Sequence, residues 1–155
     1  MMSNLGMAKS TAFPISRAIQ DYLKAIYTLQ QTRGDAGTNQ LCARLSDIKP
    51  ASVTGMCKRL AELGLIEHKP YHGVRLTVQG EHLARKVIRA HRLIELYLVQ
   101  VMGFEPNKVH REAEAMEHAI SDEFIERIAA ILGEPQIGAH GEPIPQIEEL
   151  VKLAS

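Results

Sequence analysis

The part of this chain that most restricts its possible folds lies between residues 38 and 77. Two short helical stretches are separated by a tight turn there and run directly into a hairpin. Thr38 to Leu45 places Leu41 and Leu45 inward, and Ser46-Asp-Ile-Lys49 links it to Pro50. A proline is well placed in the first turn of a helix, where its missing N–H has no intrahelical partner to lose. From Pro50 to Leu63, Val53, Met56, Cys57, Leu60 and Leu63 recur at helical spacing and form one apolar stripe. The other face shows Ala51, Ser52, Gly55, Lys58 and Arg59. A small, polar and basic face beginning at a helix N-terminus suits insertion into a DNA major groove, because bulky residues would hold the helix away from base edges. An ordinary amphipathic helix with a solvated face has the same composition, so its surroundings must decide. Gly64-Leu-Ile-Glu-His68, Lys69-Pro-Tyr-His-Gly73 and Val74-Arg-Leu-Thr77 supply strand, turn and strand. The whole reads as a winged helix-turn-helix. Residues 38 to 77 carry 6 Lys/Arg against 3 Asp/Glu, which suits phosphate contacts by one half of a dimer. The candidate DNA contacts are Lys49, Pro50, Ala51, Ser52, Thr54, Gly55, Lys58 and Arg59 on the helix, with Lys69, His72 and Arg75 in the wing.

The flanking sequence is helical. Residues 1–15 show no periodicity and are expected to form a flexible arm, after which Ser16 can cap a helix with Ile19, Leu23, Ile26 and Tyr27 on its apolar side. Arg33-Gly-Asp-Ala-Gly37 ends that helix. Thr77 offers a cap to a long amphipathic helix reaching about Val101, Gly103 closes it, and Pro106 is expected to start the next. Ser121 caps a short helix whose Phe124, Ile125, Ile128, Ile131 and Leu132 are more apolar than one small unit would bury, which points equally to a core or to a dimer interface. Residues 133–145 are rich in Gly and Pro and read as a loop or hinge. The expected class is mainly α with a small β-wing: a winged helix-turn-helix domain over 16–77 and a helical domain over 78–145. Residues 146–155 would be a tail or the start of a further C-terminal extension.

The formal net charge is zero, but it is unevenly divided. Residues 1 to 104 carry 14 Lys/Arg and 7 Asp/Glu, whereas residues 105 to 155 carry 4 and 11. A basic front could meet a polyanion and an acidic back could hold a cation. No apolar run approaches membrane-spanning length and no signal peptide is evident, so a soluble, cytoplasmic protein without membrane association is expected. Cys42 and Cys57 lack any metal-type spacing and read as core residues in a reducing compartment.

The acidic back half concentrates its chemistry in His110-Arg-Glu-Ala-Glu-Ala-Met-Glu-His118. On one continuous helix, His110, Glu114, Glu117 and His118 would fall within an arc of roughly 100°, with Glu112 pointing away. Several carboxylates on one face repel unless a cation or basic partner offsets them. Weakly ion-paired i,i+4 neighbours would account for the same composition, so metal binding and a solvated face both stand at this point. His91 and Glu95 repeat the ligand-type pair on the long helix. A metalloenzyme with a carboxylate/histidine site is the alternative of another class. Glu114-Ala-Met-Glu-His118 has Glu where zinc proteases of the H-x-x-E-H type need an imidazole, and it misses the Glu-x-x-His spacing of di-iron proteins. No enzyme is expected.

Taken in order, the motifs resemble the diphtheria-toxin-repressor family of metal-dependent transcriptional repressors, and most of all its manganese transport regulator branch. The resemblance rests on Asp21-Tyr-Leu-Lys-Ala-Ile-Tyr27, Pro50-Ala-Ser-Val-Thr54, Leu76-Thr-Val-Gln-Gly80, His91-Arg-Leu-Ile-Glu95, Asn107-Lys-Val-His110, Glu114-Ala-Met-Glu-His118 and Pro143-Ile-Pro145. It implies a primary metal site of Asp21, Glu114, Glu117 and His118, an ancillary site of His91, Glu95 and His110, and His140 as a further ligand position. It also implies a homodimer on a palindromic double-stranded operator, controlling metal uptake genes. Asp21 and Glu114 stand where iron-type members carry Met and Cys, so the oxygen-rich set suits Mn(II), with Fe(II) the close competitor and Co(II) or Zn(II) able to bind. The compact manganese regulators place a glutamate one turn after the aspartate. This chain has Lys24 there, and a protonated lysine cannot ligate, which favours separated sites over a closely spaced binuclear one. Larger members continue past the hinge into an SH3-like domain, so this chain would be a naturally short or a truncated member.

Overall fold

The computed structural model of the chain describes residues 15–34, 36–46 and 48–154, so the expected N-terminal arm lies outside the described residues except for Ile15. The first helix, α1 (Arg17–Arg33), begins where the Ser16 hydroxyl accepts the Ile19 N–H, and it ends at Gly34 in the left-handed conformation, φ 82°. Two shorter helices follow, α2 (Thr38–Arg44) and α3 (Pro50–Glu62), with Pro50 at the start of the latter. The wing is an antiparallel pair, β1 (Ile66–Lys69) and β2 (Gly73–Leu76), in the register Ile66↔Leu76 to Lys69↔Gly73. Tyr71 at its tip has a φ of 66° and is fully exposed.

The wing is fastened to the end of α1 and the segment after it by three hydrogen bonds. Val74 N–H donates to the Ala36 carbonyl at 3.0 Å, Leu76 N–H to Gln30 Oε1 at 2.8 Å, and Arg75 Nη2 to the Gly34 carbonyl at 3.1 Å. Gly73 makes this approach possible. Its φ is 80°, and a Cβ there would lie 2.2 Å from the Ala36 carbonyl oxygen.

Thr77 caps the 23-residue helix α4 (Val78–Gln100), its hydroxyl accepting the Gly80 N–H. Then come α5 (Val109–Met116), α6 (Asp122–Ile131) and α7 (Ile147–Ala154). The helix expected from Pro106 begins three residues later, because Lys108 N–H closes a separate turn onto the Glu105 carbonyl at 2.9 Å. α5 also stops at Met116, so Glu117 and His118 lie on the turn that follows.

Two apolar cores form. One gathers Leu23, Ile26, Leu41, Val53, Leu60, Val74 and Ala84 from α1, α2, α3, the wing and the start of α4. The other gathers Leu93, Ile94, Val109, Ala113, Ile125, Ile128 and Ile144 around the end of α4. α4 thus belongs to both. The apolar residues of α6 divide: Ile125 and Ile128 are core, whereas Phe124 and Ile131 are 51% and 66% exposed. The final segment folds as α7 against α4, with Leu150 buried and Arg85 Nη1 bonded to Glu149 Oε2 at 2.8 Å. No helix among the described residues is long and apolar enough to cross a membrane.

Candidate metal centre and nucleic-acid interface

α4 buries three groups that a helix inside an apolar core would not carry without a purpose: Arg89, His91 and Glu95. Arg89 is structural. Its guanidinium takes both oxygens of Glu126, at 3.0 and 2.9 Å, and the Pro145 carbonyl at 2.8 Å. His91 and Glu95, one turn apart, form an ion pair with each other and face α5, where His110 Nδ1 lies 3.1 Å from His91 Nε2 and 3.5 Å from Glu95 Oε1. This is the expected ancillary set, and its three donor atoms lie within 4.8 Å of one another.

A second cluster joins α1 to the turn after α5. Asp21, Glu117 and His118 each offer a donor atom, again within 4.8 Å. His118 Nε2 lies 3.0 Å from Asp21 Oδ1 and 3.2 Å from Glu117 Oε1. It makes a hydrogen bond to neither, although it is buried. Its other ring nitrogen contacts Gln20 Oε1. Glu114, expected as the fourth primary ligand, is not gathered here. Its carboxylate is 3.2 Å from His110 Nε2, the i,i+4 neighbour on the exposed side of α5. Glu117 keeps helical dihedrals at the C-cap of α5 and His118 lies on the turn beyond it; the four residues do not meet at one point, and the segment divides between two clusters.

Glu117 stands between them. Oε1 accepts the Lys24 ammonium at 2.6 Å, and Oε2 faces His91 Nδ1 at 2.5 Å. Burial on its own would push this carboxyl up, but the bond to His91 and the charge of Lys24 outweigh it and hold the group below the usual carboxylate range. Burial likewise disfavours charge on His91, yet its bonds to Glu117 and Glu95 raise it above the ordinary imidazole value. Glu95 is lowered in the same way, by His91, His140 and His110 against the effect of burial.

His140 reaches the centre from the loop after α6. Its Nε2 donates to the Pro106 carbonyl at 2.8 Å and its Nδ1 lies 2.6 Å from Glu95 Oε2, with Glu142 Oε1 3.7 Å away. The Pro106 carbonyl and the nearby carboxylates raise its pKa. Glu95, His140 and Glu142 form a third group of donors within 4.8 Å.

These residues fit a divalent cation. Ligand bonds of about 2.0 to 2.2 Å require donors to converge to within about 4.4 Å of one another, close to the spacing seen in these groups. The His118 nitrogen flanked by two carboxylate oxygens without a hydrogen bond is what a ligand nitrogen facing a cation position shows. Oxygen and imidazole donors suit first-row ions of intermediate to hard character.

On the candidate nucleic-acid face, Lys49, Pro50, Ala51, Ser52, Thr54, Gly55, Lys58 and Arg59 are all exposed, on the side of α3 opposite buried Val53, Cys57 and Leu60. Gly55 has nothing within 4 Å of a Cβ position, so the centre of this face is open. In the wing, Lys69 Nζ lies 3.3 Å from Glu67 Oε2, and Arg75 points back to the end of α1. Three partners were missed at the sequence level. Gln20 and Lys24 come from α1, and Lys24 was considered only as a group unable to ligate. Glu142 could have been noticed as the carboxylate two residues after His140.

A winged-helix unit bearing a basic open face, joined by one long helix to a buried carboxylate and imidazole centre, defines a metal-responsive DNA-binding protein. Residues 15–74 match the iron dependent repressor N-terminal DNA binding domain, and residues 77–146 match the iron dependent repressor metal binding and dimerisation domain. The chain belongs to the iron-dependent repressor family, whose members are transcriptional repressors and not enzymes. It is 38% identical over 115 residues to an HTH-type transcriptional regulator of Methanocaldococcus jannaschii, covering 74% of this chain and 91% of that one. It is 41% identical over 108 residues to the transcriptional regulator MntR of Escherichia coli O157:H7, covering 70% and 68%. Among solved structures, a manganese-dependent transcriptional repressor in complex with manganese superposes with a TM-score of 0.77 at 40% identity. That likeness covers 84% of this chain, which spans 59% of the length of the solved protein.

Proposed function

We propose that this chain is a cytoplasmic repressor that binds a palindromic operator as a homodimer when loaded with Mn(II), and so controls metal uptake genes. The observation that carries this reading is the meeting of Asp21 from α1 with Glu117 and His118 from beyond α4. A divalent cation would supply there the positive charge that lets these carboxylates stay together. Asp21 then draws α1 toward the turn after α5. The wing and α3 follow, because Gln30, Gly34 and Ala36 tie β2 to the end of α1. The exposed Phe124 and Ile131 support a dimer contact on α6, and the spacing of two α3 helices would then match half-sites about one DNA turn apart. His91, Glu95 and His110 form the second site, with His140 and Glu142 beside it; Glu114 turns into the primary site when metal is present. Kinship with the manganese regulators and the lack of sulfur donors in these clusters among the described residues favour Mn(II). Fe(II) is the second reading, and Co(II) and Zn(II) are expected to bind in vitro because intrinsic affinity follows the ligand series and not physiology.

The test is selection of duplexes from a random-sequence library by purified protein, with and without Mn(II), followed by titration of the enriched duplex in each metal, Fe(II) under anaerobic conditions. Enrichment of a palindrome only with Mn(II) is expected. Equal affinity in the presence and absence of metal would sink the corepressor role.

A further inference from the structure

The imidazole of His118 presents two nitrogens, and one helix faces both. Nε2 lies 3.0 Å from Asp21 Oδ1 and 3.2 Å from Glu117 Oε1, buried and without a hydrogen bond to either. Nδ1 meets Gln20 Oε1. Gln20 and Asp21 are neighbours near the start of α1, where the Ser16 hydroxyl accepts the Ile19 N–H at 3.3 Å and the Ser16 carbonyl accepts the Gln20 N–H at 3.1 Å. The helix cap thus fixes the backbone that carries the amide.

A neutral imidazole has one N–H and one lone pair, and only the lone pair can ligate a metal. A free ring can place its proton on either nitrogen. An amide oxygen only accepts, so against Gln20 Oε1 the ring must carry its N–H on Nδ1. The lone pair then falls on Nε2, between the oxygens of Asp21 and Glu117. The opposite tautomer would set two lone pairs against each other at Gln20. It would also turn an Nε2–H onto Asp21, filling with a proton the position a cation needs.

We infer that Gln20 is a positioning residue of the cluster of Asp21, Glu117 and His118: its amide oxygen holds the Nδ1–H of His118 and so keeps Nε2 free to ligate a divalent cation. The inference rests on the metal-dependent reading proposed above and deepens it. α1 then grips the ring at both edges, through Gln20 directly and through Asp21 by way of the cation. An amide is a weaker lock than a carboxylate in two respects. It carries no charge, whereas a charged acceptor makes a hydrogen bond roughly twice as strong. It can also turn its NH2 group toward the ring and accept the wrong tautomer, which a carboxylate cannot do. Glutamate in this place would therefore tighten the hold on the ring, and leucine would release it.

The tautomer is read in the metal-free full chain from the nitrogen chemical shifts of the His118 ring, at a pH at which the ring carries one proton. The consequence for metal is read by calorimetric titration with Mn(II), following the binding step that Asp21→Ala removes. Wild type is expected to show Nδ1–H. Gln20→Leu keeps a good helix former at a half-buried position. It is expected to move the proton to Nε2 and to weaken that Mn(II) step by about tenfold, the lower end of what losing an outer partner of a metal ligand costs. Gln20→Glu is expected to keep Nδ1–H and to bind Mn(II) at least as tightly as wild type. Retention of Nδ1–H in Gln20→Leu, or an unchanged affinity there, overturns the role of Gln20 and leaves the metal site standing. Should Gln20→Leu fail to fold, an Nε2–H ring in wild type or in Gln20→Glu overturns it equally. A wild type with no Asp21-dependent Mn(II) step overturns the metal site and the role of Gln20 together.

Discussion

Asp21, Glu117 and His118 come together from opposite ends of the sequence, whereas His91, Glu95 and His110 belong to two helices that already pack on each other. The first cluster spans the boundary between the two apolar cores. The second lies within one of them. Both use carboxylates and imidazoles and both bring donors within the same 4.8 Å, so composition alone would rate them alike. On the reading proposed above their difference is mechanical: the cluster containing Asp21 would pull the DNA-binding core relative to the rest, and the other would stiffen the platform it pulls against.

The sharpest way to break this contrast is Asp21→Ala. Loss of even an outer partner of a metal ligand costs 10- to 100-fold in affinity, so removing a direct donor should weaken Mn(II)-dependent DNA binding by about 100-fold, about 2.7 kcal/mol. Thermal melting of the metal-free protein should barely change, since Asp21 is half exposed. An equal loss from a second-cluster variant would end the distinction. Next in size is Lys24→Ala. Lys24 is the fixed cation on fully buried Glu117, and removing one partner of a buried pair leaves the other charge unmatched. Partial exposure of the lysine reduces the cost, so about 2 kcal/mol of destabilisation is expected in denaturant unfolding without metal. Mn(II) should recover part of it; a variant as stable as wild type would show that Lys24 does not offset that charge.

Glu95→Gln should remove one metal per chain, read by calorimetry, while DNA binding in excess Mn(II) falls by no more than about threefold. The smallest effect is a proton count. His91 is held above the ordinary imidazole value by its bonds to Glu117 and Glu95, so in the metal-free protein it gives up its proton at higher pH than a free imidazole, and a metal must displace that proton below this point. Affinity at the second cluster should therefore rise with pH from about 6.5 upward, and level off once His91 is neutral without metal. Calorimetry at pH 7 in buffers of different ionisation enthalpy should record proton release, and none would refute the assignment of His91.

The winged helix-turn-helix was legible because its signals are local. The spacing of Val53, Cys57 and Leu60, the proline at residue 50 and the hairpin turn each act within a few residues. The starting point of α5 was not, since the 105–108 turn depends on one backbone bond that Pro106 does not announce. At the centre, the residue types were readable but not their partners. Glu114 and Glu117 look equivalent in sequence, and only tertiary packing separates them: Glu117 is buried against Lys24 and His91, whereas Glu114 stays on the exposed side with His110. Gln20 meets His118 across 98 positions, a distance over which helical periodicity says nothing.

The buried guanidinium of Arg89 has a consequence for the loop after α6. Arg89 holds the Pro145 carbonyl and Arg92 donates to that of Pro143, so both fasten the chain just after His140. A histidine on a Gly- and Pro-rich loop would ordinarily surrender much conformational freedom on capturing an ion. Here part of that freedom is already spent in folding, so that if His140 is the ligand proposed above, it would meet a metal as a preorganised group, much as a residue on a helix would.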